Sequence, residues 1–124
     1  DAPCTASGIV RRHPDVPWLR RASDVAQLAA AQARLLQALW PLLKPGGRLL
    51  YCTCSVFREE GDGQIGAFLS CHSDAVRLPA PGHLLPMEGT GASSLMDNGV
   101  AGDTGVTGLM DHDGFFYALL AKRD

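Results

Sequence analysis

No apolar run in the 124 residues approaches the roughly 20 consecutive positions that a membrane-spanning helix needs, so no membrane span is expected. The longest apolar-leaning stretch, Val25 to Leu43, is interrupted by Gln27, Gln32, Arg34 and Gln37 and reads as an amphipathic helix. The chain opens on Asp1 without an initiator Met, a basic n-region or an apolar h-region, and no secretory signal is expected. Also lacking are the paired C-x₂-C knuckles of structural zinc sites, so no metal is expected. The cysteines at positions 4, 52, 54 and 71 leave two disulfides, a metal site or reactive thiols open. Reduced thiols in a cytoplasmic enzyme are the default without a secretory signal. There is no excess of basic charge: the formal net charge of −2 argues against a wholly basic nucleic-acid-binding module. Internal repeats and a second domain are missing too.

What is there is unevenly distributed. Residues 1–50 carry seven Lys or Arg against three Asp, and the remainder carries four basic against ten acidic side chains. The pairs Arg11-Arg12 and Arg20-Arg21 read either as phosphate contacts or as a solvated charged surface. Residues 1–22 read as irregular, with Pro3, Pro14, Pro17 and Gly8. Ser23 is the expected N-cap of a helix, with Asp24 in its first turn. Val25, Leu28, Ala29, Gln32, Leu35, Leu36, Leu39 and Leu43 then recur at helical spacing. Pro41 disturbs the last turn, and Lys44-Pro45-Gly46-Gly47 ends it.

Arg48 to Thr53 reads as a short buried strand, and Asp62 to Cys71 as a second helix with Ile65, Phe68 and Leu69 inward. Ala75 to Leu78 is a weak strand candidate. Residues 79–112, rich in Gly, Pro, Ser, Thr and Asp, read as a long loop. Asp113-Gly114 is a turn, and Phe115 to Ala121 a final apolar strand. Helix, glycine turn and buried strand in succession point to an α/β fold.

Cys54 follows the strand Arg48–Thr53, at the carboxyl end where open α/β sheets place ligands. A cysteine there is either a reactive thiol or a structural one, and exposure and pKa decide which. Cys4 stands in Asp1-Ala2-Pro3-Cys4-Thr5-Ala6-Ser7-Gly8, where proline stiffens the backbone and presents the thiol in a fixed direction. Asp1 beside it can hydrogen-bond or handle a proton. A plain turn also explains this octapeptide.

That octapeptide resembles motif IV of the RNA cytosine-C5 methyltransferase family, and Tyr51-Cys52-Thr53-Cys54-Ser55 resembles motif VI. Asp113-Gly114-Phe115-Phe116 with Ala118 looks like the family's closing strand. Arg11-Arg12-His13-Pro14-Asp15 and Trp18-Leu19-Arg20-Arg21 are similar to the bacterial branch acting on 16S ribosomal RNA, the Sun/Fmu (RsmB) proteins. The resemblance implies that residues 1–124 are the C-terminal part of a methyltransferase catalytic domain, from motif IV onward. It implies the second half of a Rossmann-like class I methyltransferase fold, with the last strand antiparallel. It also implies S-adenosyl-L-methionine as cofactor, ribosomal RNA as partner and cytosine C5 as target. By the same resemblance Cys54 is the catalytic nucleophile that adds to C6, and Cys4 assists release. Asp1 contacts the base edge and the cofactor region.

Two features depart from the family pattern. Glu59-Glu60 is followed by Gly61 where the family often has Asn, which puts a helix cap in question. The glycine-rich loop and the acidic residues of the main cofactor segment lie before motif IV in the family and are not in this chain. A fragment inactive by itself is therefore expected, marginal or self-associating because an interior sheet edge is left open. The alternatives are a non-catalytic interaction or regulatory fragment, a DNA cytosine-C5 methyltransferase fragment with Cys4 as nucleophile, and a zinc or redox module. Cys52 reads as strand packing, Cys71 and His72 as ordinary helix-end residues.

Overall fold

The structure, a computed structural model, describes residues 1–86 and 112–123. After a three-residue 3₁₀ turn at Ser7–Ile9 come the short helix α1 (Val16–Leu19) and the long helix α2 (Ala22–Leu39). A second 3₁₀ turn, Trp40–Leu42, leads into strand β1 (Arg48–Thr53). A third, Arg58–Glu60, precedes α3 (Asp62–Cys71), which is followed by β2 (Ala75–Leu84) and β3 (Phe115–Lys122). The α/β class and the antiparallel last strand are both as expected: β3 lies between β1 and β2 and runs antiparallel to each.

The core follows from strand periodicity. Phe116, Ala118 and Leu120 alternate along β3 and are fully buried, and their register partners on β1 are Thr53, Tyr51 and Leu49. Against this face pack Leu36 of α2, Trp40, and Ile65 and Phe68 of α3. The Trp40 and Phe68 rings meet edge to face at 5.2 Å. Lys122 caps the end of the long helix by donating to the carbonyls of Trp40 and Leu43, at 3.2 and 3.0 Å. Gly46, at φ 72°, supplies the left-handed residue of the turn into β1.

Three expectations are corrected. Helix α2 starts at Ala22 with Arg21 as N-cap, not at Ser23, because the Asp24 carboxylate sits at the third helical position and accepts the Arg21 N–H at 2.9 Å. Only part of its predicted apolar stripe is covered: Leu35 and Leu39 are exposed, while Gln32 and Leu36 are buried. Strand β2 continues to Leu84, so residues 79–84 of the expected loop are strand. Pro79 and Pro81 are tolerated because β2 is an edge strand whose register shifts between Leu78 and Gly82, leaving no ladder bond for the missing N–H groups to break. The rest of the expected loop, 87–111, lies outside the described residues.

Candidate active site

The two candidate thiols, from segments fifty residues apart, meet. Asp1-Ala2-Pro3 runs beside the end of β1, with the Ala2 N–H donating to the Cys52 carbonyl at 2.9 Å. Farther on, the Gly8 N–H donates to the Cys54 carbonyl, also at 2.9 Å. The Cys4 loop is thus pinned to the strand end on both sides. Between the pins Cys4 Sγ lies 3.3 Å from Cys54 Sγ, a thiol–thiol contact well beyond the roughly 2.05 Å of a disulfide. Both side chains are half-buried at the carboxyl end of β1. Ala6, within the loop, has a left-handed backbone at φ 59°, an uncommon conformation for a residue with a Cβ.

Burial pushes the Cys54 thiol up to about 12; the hydrogen bond and charge of Cys4 and the charge of Glu60 add to the rise. At neutral pH this thiol is protonated in the resting arrangement, and it needs a proton acceptor before it acts as a nucleophile. Burial, with Glu60 next, also raises the Tyr51 phenol, which donates to the Glu60 carbonyl oxygen at 3.0 Å.

Sequence reasoning missed the centre of the site. Glu60, read only as part of an altered helix entry, is fully buried. Its carboxylate accepts the Thr5 N–H at 3.0 Å, the Thr5 hydroxyl at 2.6 Å, the Gln32 amide at 3.1 Å and the Ser55 hydroxyl. The Gln32 amide also donates to the Pro3 carbonyl at 2.9 Å. The Val56 N–H donates to the Ser7 hydroxyl, and that of Phe57 to the Ser55 hydroxyl, both at 3.0 Å. One signal was available: Gln32 is a polar residue on the apolar stripe of its helix, and a buried amide needs partners.

The arginine pairs are more committed than a charged surface or a phosphate site implies. Arg11 and Arg12 reach the buried Asp113 carboxylate at 3.1 and 2.6 Å. The Arg20 Nε–H donates to the Thr5 carbonyl at 2.9 Å. Asp113-Gly114, expected as a plain turn, therefore holds the segment that follows the Cys4 loop, and the Gly114 N–H donates to the Gly8 carbonyl at 2.7 Å. A cleft of about 290 Å³ opens beside Thr5 and Ser7, walled by Val10, Val16, Arg20 and Phe57. Asp1 is exposed, at the start of the segment that leads to Cys4. Cys52 is half-buried within β1, and Cys71 is exposed at the end of α3.

Among the described residues no group of three or more His, Cys, Asp or Glu is placed to hold a metal ion, and no helix is long and apolar enough to cross a membrane. Among the described residues the glycines do not build an adenosine cradle either. Gly46-Gly47 enters β1 instead of leaving a strand, and Gly61 and Gly63 follow a 3₁₀ turn.

Comparison with known proteins gives concordant results. The family model described as "16S rRNA methyltransferase RsmB/F" matches residues 1–121. The ribosomal RNA small subunit methyltransferase B of Cronobacter sakazakii is 48% identical over 123 residues, which is 99% of this chain and 25% of that protein. The chain thus spans about a quarter of the length of such relatives. Among solved structures, that of PH0851 superimposes with a TM-score of 0.70 at 32% identity, covering 98% of this chain and 25% of that one. A methyltransferase homolog from Pyrococcus horikoshii gives 0.62 at 28% identity, covering 98% and 37%.

Proposed function

The chain belongs to the 16S rRNA methyltransferase RsmB/F family, and from that premise we propose that it carries the thiol chemistry of a cytosine-C5 methyltransferase acting on ribosomal RNA. Residues 1–124 are read as the C-terminal part of its catalytic domain, from motif IV onward. The observation that carries this reading is the 3.3 Å approach of Cys4 and Cys54 at the carboxyl end of β1.

Cytosine C5 is a weak nucleophile until something adds to C6, and a thiolate suits that task because it adds readily and later leaves. Cys54 Sγ gives its proton to a base and bonds to C6, and the displaced C5=C6 pair shifts toward C4 and N3, which leaves C5 nucleophilic. S-adenosyl-L-methionine would supply the methyl group, as the family resemblance implies, and among the described residues no glycine turn leaves a strand to cradle its adenosine. Once C5 is methylated, a base takes its proton, the C5=C6 bond re-forms and Cys54 leaves as the thiolate with the C6–S electron pair. Cys4, one thiol contact away, assists this release by handling a proton. A base presented this way must be single-stranded or turned out of its helix. Asp1, exposed near the Cys4 loop, is read as the contact to the base edge and cofactor region.

The test is covalent trapping on RNA containing 5-fluorocytosine, using the full-length protein. Cys54→Ser is expected to abolish both methylation and the adduct. Cys4→Ala is expected to let a protein–RNA adduct accumulate with natural cytosine. If Cys54→Ser still traps RNA while Cys4→Ala does not, the nucleophile is Cys4 and the DNA-type mechanism replaces this reading.

A further inference from the structure

Glu60 gathers four donors and thereby fills the roughly four acceptor positions of a carboxylate. A buried carboxylate is costly to hold in a protein interior unless its hydrogen bonds are met, so its location calls for a use. The donors show what it joins. Thr5 directly follows Cys4, Ser55 directly follows Cys54, and Gln32 bonds both to Glu60 and to Pro3, the residue before Cys4. Cys4 is therefore held through both of its neighbours, and Cys54 through one, by a single carboxylate. The backbone of Glu60 is itself tied to the sheet, because the buried Tyr51 of β1 donates to its carbonyl oxygen.

We propose that Glu60, with Gln32, is a positioning residue that sets the separation and direction of the two thiols by fastening the loops that carry them to one buried carboxylate. This rests on the assignment of Cys54 and Cys4 above. Glu60 touches neither the base nor the methyl donor in this role; it acts through Thr5 and Ser55. Its negative charge works against ionisation of Cys54, so the geometric benefit and the electrostatic penalty come from one group and can be separated by substitution. In Glu60→Gln the amide oxygen still accepts from Thr5 and Gln32, and the amide NH₂ donates to the Thr5 and Ser55 hydroxyl oxygens, which turn to accept. The loops stay fastened and the charge is gone. In Glu60→Ala all four bonds are lost.

The experiment measures single-turnover adduct formation on 5-fluorocytosine RNA against pH in the full-length protein, with thermal unfolding of each variant alongside. Folded Glu60→Ala is expected to form adduct about a hundredfold more slowly, the usual penalty for a misplacement near 1 Å. Glu60→Gln is expected to recover to within about tenfold of the parent, with its rate profile displaced toward lower pH. If Glu60→Ala does not fold, Ser55→Ala removes one of the four donors and is expected to slow adduct formation in protein that still unfolds cooperatively. A folded Glu60→Ala or Ser55→Ala at the parent rate overturns the proposal, as does a Glu60→Gln as slow as Glu60→Ala with an unshifted pH profile. A Cys54→Ser protein that still traps RNA would instead refute the assignment of the nucleophile, whatever the Glu60 variants do.

Discussion

Gly8 and Gly114 are in direct backbone contact: the Gly114 N–H donates to the Gly8 carbonyl at 2.7 Å, and a Cβ built on Gly8 would lie 2.0 Å from the Gly114 carbonyl oxygen. Only backbone atoms fit between them. Gly8→Ala is therefore expected to force the two segments apart and to lower stability by about 1–3 kcal/mol, the usual range for an overpacked interior. Denaturant unfolding measures the loss. An unchanged midpoint would mean that the contact opens at no cost.

The reactivity of Cys54 is expected to depend steeply on pH. Its thiol is raised to about 12, chiefly by burial, so the neutral form persists through physiological pH and the thiolate fraction grows about tenfold for each pH unit below that value. Iodoacetamide labelling followed by peptide mass spectrometry should find the exposed Cys71 modified first at pH 7.5, with Cys54 modified readily only in alkaline solution. Cys4→Ala removes a hydrogen bond and a charge that favour the neutral thiol, and should move the Cys54 profile toward lower pH. Rapid labelling of Cys54 at pH 7 in the unaltered protein would contradict this.

Among the described residues Gly46-Gly47 leads into β1, Gly61 and Gly63 stand at the start of α3, and no glycine turn leaves a strand. Calorimetry of the 124-residue chain with S-adenosyl-L-methionine is therefore expected to show no site tighter than about millimolar. Micromolar binding would place an adenosine site among these residues.

The isolated chain is expected to self-associate. Strand β1 is an edge of the sheet, Leu50 on it is 59% exposed, and Leu42 and Trp18 are 80% and 88% exposed. Open strand edges beside apolar surface template further pairing. Sedimentation velocity should show mass rising with concentration, and Leu50→Lys should reduce it. A monomer at all concentrations, unfolding cooperatively with about 5–15 kcal/mol, would show that the edge is already satisfied.

The parts of the fold legible in the sequence are those governed by local periodicity. Strand β1 and helix α3 occupy the expected residues, because the apolar run at 49–52 and the spacing of Ile65 and Phe68 act within one element, although Leu50 of the expected buried strand is exposed. Strand β2 runs past the expected Leu78 because the Pro- and Gly-rich composition that reads as loop is compatible with an edge strand carrying a register shift. Within the site, Cys4 and Cys54 were recognisable because each sits in a distinctive stretch of chain. Glu60 was not, since its role depends on Thr5, Gln32 and Ser55 arriving from three other places. Likewise the charges of Arg11 and Arg12 gave no hint that Asp113 would claim them.

The placement of β3 between two strands that precede it in the chain has a consequence for biosynthesis. A ribosome delivers β1 and β2 well before the strand that joins them, so the sheet is incomplete until Phe115–Lys122 emerges. The same late segment brings Asp113 and Gly114, which fasten Arg11, Arg12 and Gly8 beyond the Cys4 loop. Translation halted before Asp113 would release a polypeptide carrying both cysteines but lacking the middle strand and the anchor. Residues 113–122 thus tie completion of the sheet to the anchoring of the segment that follows the Cys4 loop.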